Sequence, residues 1–318
     1  MDIKVKNKLL LAVLFSTAFM VFLLMRVDWQ HFSLIAGRLD LKYLTVACSL
    51  FIFGNFVRAV RFSKLDHTGK KLVHWWNINA FYNFITATLP GGTGEAAMAY
   101  ILKRFSKINI LGAVRILLLG RLMDLFALSA LFFLASVLIS IVTPYREAAI
   151  WLSGALFLMT SIALMPSSEH FVLRLLHKLP GNAAFIQKAC EKLNEVLEIS
   201  KERRCVSFYT ITLTQSLIEK IAGVAVLHML LQSFGIDFTL LQSVYCYGVY
   251  MVFQIIPVQG IAGIGTQAAW WALSLNSAGY QGNDAIALGF VLHGTLYLFI
   301  FSMGIFSLLF WLKGRGKK

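Results

Sequence analysis

Ionisable side chains recur inside the long apolar runs of this chain, where they are costly to place. Glu95 follows a glycine-rich run, and Arg121, Asp124 and Glu219 each interrupt a stretch of apolar residues. A charged group at membrane depth is retained when it binds an ion, a headgroup, a proton or another side chain. These four residues are therefore candidates for a binding site.

Glu95 allows two interpretations. It follows Gly94 at the predicted start of a short helix, where a carboxylate can accept hydrogen bonds from free backbone N–H groups and is favoured by the helix dipole. Alternatively, it binds a cation, a cationic headgroup or a proton. The two roles are compatible.

The charged residues within the long apolar runs need partners of opposite charge. Arg121 and Asp124 are three residues apart, so they share a helix face and can neutralise each other, or Arg121 can meet a lipid phosphate. Glu219 and Lys220 are adjacent, so we expect their side chains to point about 100° apart and to find different partners.

Two polar stripes accompany the charges. Asn79, Asn83 and Thr86 have helical spacing and share one face. A similar polar and aromatic stripe downstream contains Tyr247, Tyr250 and Gln254. They predict either a hydrated cavity lined by both stripes or polar packing between helices.

Two glycine-rich breaks, one in each half, interrupt the apolar sequence. Irregular backbone at membrane depth persists where protein or a water-filled cavity satisfies it, and paired breaks indicate a binding site near the membrane midplane. The breaks contain Pro90, Gly91, Gly92 and Gly94, then Pro257, Gly260, Gly263 and Gly265.

Composition indicates a membrane protein. The chain has 318 residues, of which 58% are apolar and 14% charged, whereas soluble domains have about 25% charged residues. A helix needs roughly 20 residues to cross the hydrocarbon core. We predict an all-α polytopic membrane protein, a single membrane domain over 1–318, with about six full spans at 9–25, 43–60, 116–142, 148–165, 206–232 and 285–312.

Shorter apolar helices flank each break. We interpret each pair as a re-entrant hairpin that enters and leaves on one side, although a rival layout counts the four arms as full spans. The predicted arms are 75–89 and 95–105 for the first hairpin, and 241–256 and 265–278 for the second.

Basic residues fall mainly on one side of this layout, as the positive-inside rule requires. With both termini in the cytoplasm, 23 of the 29 lysines and arginines, including Arg58 and Arg61, are cytoplasmic and four lie opposite. The net charge of +14 then reflects orientation and anionic lipid, and we expect no nucleic-acid partner.

The layout also predicts an inverted-topology repeat. The halves, about 1–143 and 144–318, each run span, span, hairpin, span, but start on opposite sides. An amphipathic segment within about 167–204 is expected on the cytoplasmic surface.

Signatures of enzymes are missing from the sequence. There is no phosphate-binding glycine loop, HExxH or GxSxG, and the four cysteines form no CxxC pair. We therefore expect no catalytic residues, no metal site and no cofactor.

The run Leu89 to Glu95, followed by Tyr100 to Arg104, resembles the lysylphosphatidylglycerol synthase transmembrane-region family of flippase-like proteins, and the run Pro257 to Gln267 is similar to that family's second break. The resemblance implies a prokaryotic cytoplasmic-membrane protein that moves or presents a lipid. Family members often carry arginine at the position of Met98 and glutamate at the position of Ala268. The headgroup contacts that the family attributes to those two positions are therefore not expected in this chain. The synthase members also carry a soluble aminoacyl-transfer domain, and we expect this chain to be a standalone member that does not make a lysylated lipid.

The sequence therefore leads to three hypotheses. The first is a translocator of a phospholipid or polyprenyl-linked glycan, with a headgroup path between the hairpins lined by Asn79, Asn83, Glu95, Arg121, Asp124, Glu219 and Gln254. The second is a membrane glycosyltransferase acting on a polyprenyl-linked substrate, with Glu95 or Asp124 as base. The third is a scaffold for an envelope-biosynthesis enzyme.

Overall fold

The computed structural model describes residues 29–65, 69–88, 93–139, 145–164, 206–255, 263, 265–280 and 284–315. Throughout these ranges the secondary structure is helical. The helices are α1 (Trp29–Gly37), α2 (Leu41–Leu65), α3 (Leu72–Thr88), α4 (Thr93–Ile101), α5 (Ile110–Leu138), α6 (Arg146–Leu164), α7 (Val206–Ser233), α8 (Leu240–Phe253), α9 (Thr266–Ser277) and α10 (Asp284–Arg315).

Five of the described helices, namely α2, α5, α6, α7 and α10, are long and apolar enough to cross a membrane. They overlap five of the six predicted spans, although α5 begins at Ile110, before the predicted start at 116. The first span, 9–25, lies outside the described residues. Large apolar side chains face outward, with Trp151 80%, Phe306 73% and Leu298 68% exposed. Lipid covers such surfaces favourably and water does not, so the chain is a multi-pass membrane protein.

Helices α2 and α7 pack antiparallel along their length. The Asp40 amide near the start of α2 donates to the Ser233 carbonyl at the end of α7, 2.8 Å away. Midway, a Cβ added to Gly54 would lie 3.3 Å from the Cβ of Ala222. Near the other end of α2, Arg61 donates to Ser216. This pair forms the centre of the fold.

Helices α3 and α4 run antiparallel as a pair. A Cβ on Gly94 would overlap the Thr86 side chain, so the second helix starts in close contact with the end of the first. At the far end, His74 Nε2 lies 3.0 Å from Ser106 Oγ in a π-helical turn, Leu102–Ser106, that continues α4. The pair matches the predicted first hairpin arms.

Helices α8 and α9 form a similar antiparallel pair. Thr239 and Gln242 cap the start of α8 with a capping box. The Gln242 side chain also donates to the Ala278 carbonyl at the end of α9, 3.3 Å away. Near the break, Tyr250 stacks on Trp271 with ring centroids 3.6 Å apart. The pair matches the predicted second hairpin arms.

Each pair rests on the last long helix of the other half. Helix α3 packs antiparallel to α10, because Ser307 Oγ donates to the Asn77 carbonyl at 2.7 Å and the Phe84 and Phe301 rings lie 5.2 Å apart. Helix α8 packs against α5, where Phe132 contacts Tyr245 with ring centroids 5.7 Å apart. These contacts enclose a space among the helices.

Two features differ from the sequence expectations. Helix α1 was not predicted; it precedes α2 and packs against α10. Helix α2 extends to Leu65 beyond the predicted end at 60 and carries Arg61 into the interior. The predicted amphipathic segment, about 167–204, lies outside the described residues.

Candidate functional site

A cavity of about 670 Å³ lies between the two helix pairs and the long helices α2, α5, α7 and α10. This volume is within the usual 300–1,000 Å³ range of small-molecule sites. Its polar lining comprises Asn55, Arg58, Tyr82, Asn83, Thr86, Arg121, Asp124, Glu219, Lys220, Tyr247, Tyr250, Gln254, Gln267, His293 and Tyr297.

Arg61 anchors the charged end from directly behind the cavity wall. Its side chain is 1% exposed, and its guanidinium donates to both carboxylate oxygens of Asp124 and to Ser216 Oγ. A second carboxylate, that of Glu219, lies 3.3 Å from Arg61 Nη2. One guanidinium therefore joins α2, α5 and α7.

Lys220 completes the buried charge cluster. Its Nζ lies 3.9 Å from Asp124 Oδ2 and 3.4 Å from Glu219 Oε1. Burial of isolated charges costs several kcal/mol each, so the cluster persists because both carboxylates have cationic partners. The expectation that Glu219 and Lys220 find different partners is wrong in part, because their long side chains converge on each other.

Arg58 lies one helical turn from Arg61, at the cavity wall. Its Nη1 donates to Asn83 Oδ1 over 3.4 Å, and its Nε lies 3.9 Å from Glu219 Oε1. Its guanidinium carbon also lies 5.7 Å from the ring centroid of Tyr82 and 5.9 Å from that of Phe62. Aromatic faces thus hold this arginine in place while its hydrogen bonding stays weak.

Arg121 approaches the same tyrosine from α5. Its Nη2 donates to the Tyr82 hydroxyl at 2.8 Å, and Tyr82 itself is 2% exposed. The ring of Tyr82 therefore lies beneath Arg58 and its hydroxyl holds Arg121. Two guanidinium groups are positioned by one buried side chain.

The asparagine stripe divides between the cavity wall and the packing behind it. Asn55 Oδ1 accepts from Asn79 Nδ2 at 3.0 Å and from Asn83 Nδ2 at 2.6 Å. Asn79 is fully buried behind the wall, whereas Asn83 lines the cavity. Asn83 therefore has the position expected for the lining of a hydrated cavity. Asn79 has the position expected for polar packing between helices.

The opposite end of the cavity is amide and aromatic. Gln267 Oε1 accepts from Tyr250 Oη at 2.6 Å and from Gln254, and Gln267 Nε2 donates back to Gln254 Oε1 at 3.1 Å. Gln254 caps the end of α8 and Gln267 lies in the first turn of α9, so this network bridges the second break.

Tyr297 on α10 connects the two breaks. Its hydroxyl donates to the Ala87 carbonyl, one of the last in α3, at 2.8 Å. A Cβ on Gly263 would lie 3.2 Å from the same hydroxyl oxygen. Gly263 and Gly265 have φ of +60° and +87°, which favours glycine at the second break.

The structure brings most of the predicted site residues together. Asn83, Arg121, Asp124, Glu219 and Gln254 line one cavity with Gly94, and their role in a substrate path stays a prediction. Glu95 lies in the first turn of α4. Its side chain is outside what the structure describes, as are the break residues Pro90, Gly91, Gly92, Pro257 and Gly260.

Sequence reasoning missed Arg58 and Arg61, which it assigned to a cytoplasmic basic cluster. The structure overturns the assignment of Arg61 to a surface, because Arg61 is buried among carboxylates of α5 and α7. The available signal was that Arg58 and Arg61 share a helix face while Asp124 and Glu219 require cations. In the described ranges, histidine, cysteine and acidic residues form no group of three that could hold a metal.

Five described helices are long and apolar enough to cross a membrane, and four of them line a charged cavity together with the two helix pairs. These features define a multi-pass integral membrane protein with a polar site among its helices. The chain belongs to the lysylphosphatidylglycerol synthase TM region family, whose model matches residues 9–304. This membership relates the protein to lipid handling. Comparisons with curated proteins and with solved structures give no match.

The two departures from the family pattern are both buried. Met98 and Ala268 are each 0% exposed, and the Ala268 carbonyl lies where a Cβ on Gly289 would overlap it. Neither side chain carries a charge, and neither lines the cavity.

Proposed function

We propose that the protein moves a lipid across the membrane, with the headgroup in the cavity and the acyl chains in the bilayer. The observation that carries this proposal is a charged, amide-lined cavity of about 670 Å³ inside an apolar helix bundle. Charged side chains at membrane depth mark substrate pathways. A headgroup that enters the cavity replaces its hydrogen bonds with water by hydrogen bonds with these side chains. It therefore crosses the bilayer without contact with the hydrocarbon.

We further propose that the two helix pairs are re-entrant hairpins of an inverted repeat. Three features support this: α2 and α7 pack antiparallel, α3 rests on α10, and α8 rests on α5. These contacts are what a two-fold axis between α2 and α7, lying in the membrane plane, would produce. The hairpins would then approach the cavity from opposite faces.

Orientation is part of the same proposal. We propose that both termini lie in the cytoplasm of a prokaryotic cell and that the first hairpin opens from that side. The exposed basic residues near the ends of α2 and α4 support this orientation, because they would meet the anionic inner leaflet: Lys64, Lys103, Arg104 and Lys107.

Proteoliposomes that contain the purified chain provide the test. Fluorescent phospholipids and a fluorescent polyprenyl-linked glycan are reconstituted, and dithionite quenching from outside reports how fast the inner-leaflet label becomes accessible. We expect transport of at least one lipid. Glu219→Gln should slow it by about tenfold or more, because hydrogen bonds to charged groups contribute about 1.5–3 kcal/mol.

The matched control is Asp237→Asn, which makes the same kind of change at an exposed carboxylate. It should transport like the unaltered chain. If no lipid moves while a known scramblase is active in the same vesicles, the proposal is wrong.

A further inference from the structure

One face of helix α8 lies along the cavity and carries uncharged hydrogen-bonding groups. Tyr247, Tyr250 and Gln254 are spaced by three and four residues, so they share this face, and all three line the cavity. Gln267 on α9 and Tyr297 on α10 line the same cavity. We call these five side chains the tyrosine–glutamine face.

Tyr247 has an unused hydroxyl on the tyrosine–glutamine face. The residue is only 9% exposed, yet its hydroxyl makes no hydrogen bond with another residue that the structure describes. The hydroxyl fits against the backbone of Gly223, where an added Cβ would overlap it. Burial of a hydroxyl without a partner is unfavourable. A ligand in the cavity that accepts the Tyr247 proton would therefore gain a hydrogen bond.

The other two tyrosines of this face offer acceptors. Tyr250 donates its hydroxyl proton to Gln267 Oε1 at 2.6 Å, and Tyr297 donates its proton to the Ala87 carbonyl at 2.8 Å. A phenolic oxygen that has donated its proton still accepts hydrogen bonds. The tyrosine–glutamine face therefore presents a donor at Tyr247 and acceptor oxygens at Tyr250 and Tyr297.

This combination of a donor and acceptors matches hydroxyl groups. A hydroxyl both donates and accepts, whereas an ionised phosphate oxygen only accepts and an ammonium group only donates. Tyr247 and Tyr250 lie one helical turn apart, and stacking on Trp271 fixes the Tyr250 ring. A rigid ring that carries several hydroxyls could bond to both tyrosines and would lose little conformational freedom on binding.

We propose that the tyrosine–glutamine face binds the hydroxyl groups of a hexose, so that the lipid which this protein moves carries a sugar headgroup. The inference rests on the proposed function and names its substrate class. Tyr247 donates to one sugar hydroxyl, while Tyr250 and Tyr297 accept from others. The amides of Gln254 and Gln267 hold the Tyr250 hydroxyl in position.

Equilibrium binding to the purified full chain tests the proposal without requiring transport. A polyoxyethylene detergent is used, because a maltoside or glucoside detergent would itself compete for a sugar site. The probes are glucosyl diacylglycerol and galactosyl diacylglycerol with a fluorescent chain, and the reference is diacylglycerol with the same chain and no sugar. We expect at least one sugar-bearing probe to bind about tenfold or more tightly than the reference, because several neutral hydrogen bonds act together.

Tyr247→Phe isolates the contribution of one hydroxyl. It should lower the affinity for the sugar-bearing probe by about twofold to tenfold, because one neutral hydrogen bond contributes about that much, and should leave the affinity for diacylglycerol unchanged. Since this hydroxyl has no partner among the described residues, the unfolding midpoint should not fall, which separates a lost ligand contact from a lost fold. Tyr43→Phe makes the same change at an exposed tyrosine and should bind every probe normally.

A soluble competitor separates a free sugar from a sugar attached to lipid. Tyr247-dependent displacement of the probe by methyl glucoside or methyl galactoside supports a site for which the sugar suffices, whereas Tyr247-dependent binding that resists displacement supports a glycolipid. Equal affinity for all three lipids, or normal binding by Tyr247→Phe, overturns the proposal. Transport of another lipid without this selectivity would overturn only the inference, and absence of transport with the selectivity intact would overturn only the proposed function.

Discussion

The guanidinium of Arg61 on α2 binds both carboxylate oxygens of Asp124 on α5, although the two residues are 63 positions apart. Both side chains are buried, and Ser216 on α7 accepts a further hydrogen bond from Arg61. Three membrane helices are therefore joined beside the cavity by one ion pair. This ion pair therefore holds α2, α5 and α7 together at the end of the cavity that carries the charged side chains.

Breaking this pair should destabilise the protein strongly. Asp124→Asn leaves a buried guanidinium with part of its charge uncompensated, at an expected cost of about 3–5 kcal/mol. The thermal unfolding midpoint in detergent should fall accordingly. Replacing both partners by apolar residues, as in Arg61→Met with Asp124→Leu, should recover much of that loss because no unpaired charge remains. A double variant no more stable than Asp124→Asn would contradict the account.

The sequence predicted the helices better than it predicted the charge cluster. Helix limits follow from local hydropathy and from proline and glycine, so α7, α10 and the arms beside both breaks lie within a few residues of expectation. The partner of Arg61 depends on how distant helices pack. No local pattern links positions 61, 124 and 219.

The misassignment of Arg61 has a physical reason. The positive-inside rule counts basic residues near span ends and does not distinguish those facing headgroups from those facing the protein interior. Arg61 belongs to the second kind, because it is buried and the carboxylates of Asp124 and Glu219 lie beside it.

Tyr297→Phe should loosen the connection between the breaks. The variant loses the hydrogen bond to the Ala87 carbonyl, which contributes about 0.5–1.5 kcal/mol, and keeps the ring contact with Phe301. We expect a small fall in the unfolding midpoint. Tyr43→Phe, at an exposed tyrosine, is the control and should leave the midpoint unchanged. Equal unfolding midpoints for Tyr297→Phe and the unaltered chain would show that this hydrogen bond does not contribute to the stability of the protein.

Gly94→Ala should disturb the first break. The added Cβ would overlap the side chain of Thr86, and overpacking of this kind costs about 1–3 kcal/mol. Gly37→Ala is the matched control, because a Cβ there has no atom within 4 Å. Unfolding midpoints of both variants in detergent would measure the difference, and a fall of the same size in both would refute the close contact.

The inverted repeat predicts opposite accessibility of the two breaks. In a chain whose four native cysteines are replaced by serine, cysteines at Gly92 and Gly260 are labelled with a membrane-impermeant maleimide in oriented vesicles. Gly92→Cys should react from the cytoplasmic face and Gly260→Cys from the other. Labelling of both from one face would exclude hairpins of opposite orientation.

Reversible obstruction of the cavity tests the central claim most directly. Met251 lines the cavity, so Met251→Cys in the cysteine-free chain can be modified with a bulky methanethiosulfonate reagent, while Tyr145→Cys provides an exposed control site. Mass spectrometry verifies complete modification, and dithionite quenching measures lipid transport in proteoliposomes. We predict that transport stops only when Met251→Cys is modified and returns when a reductant removes the group. Undiminished transport by the fully modified protein would contradict a headgroup path through this cavity.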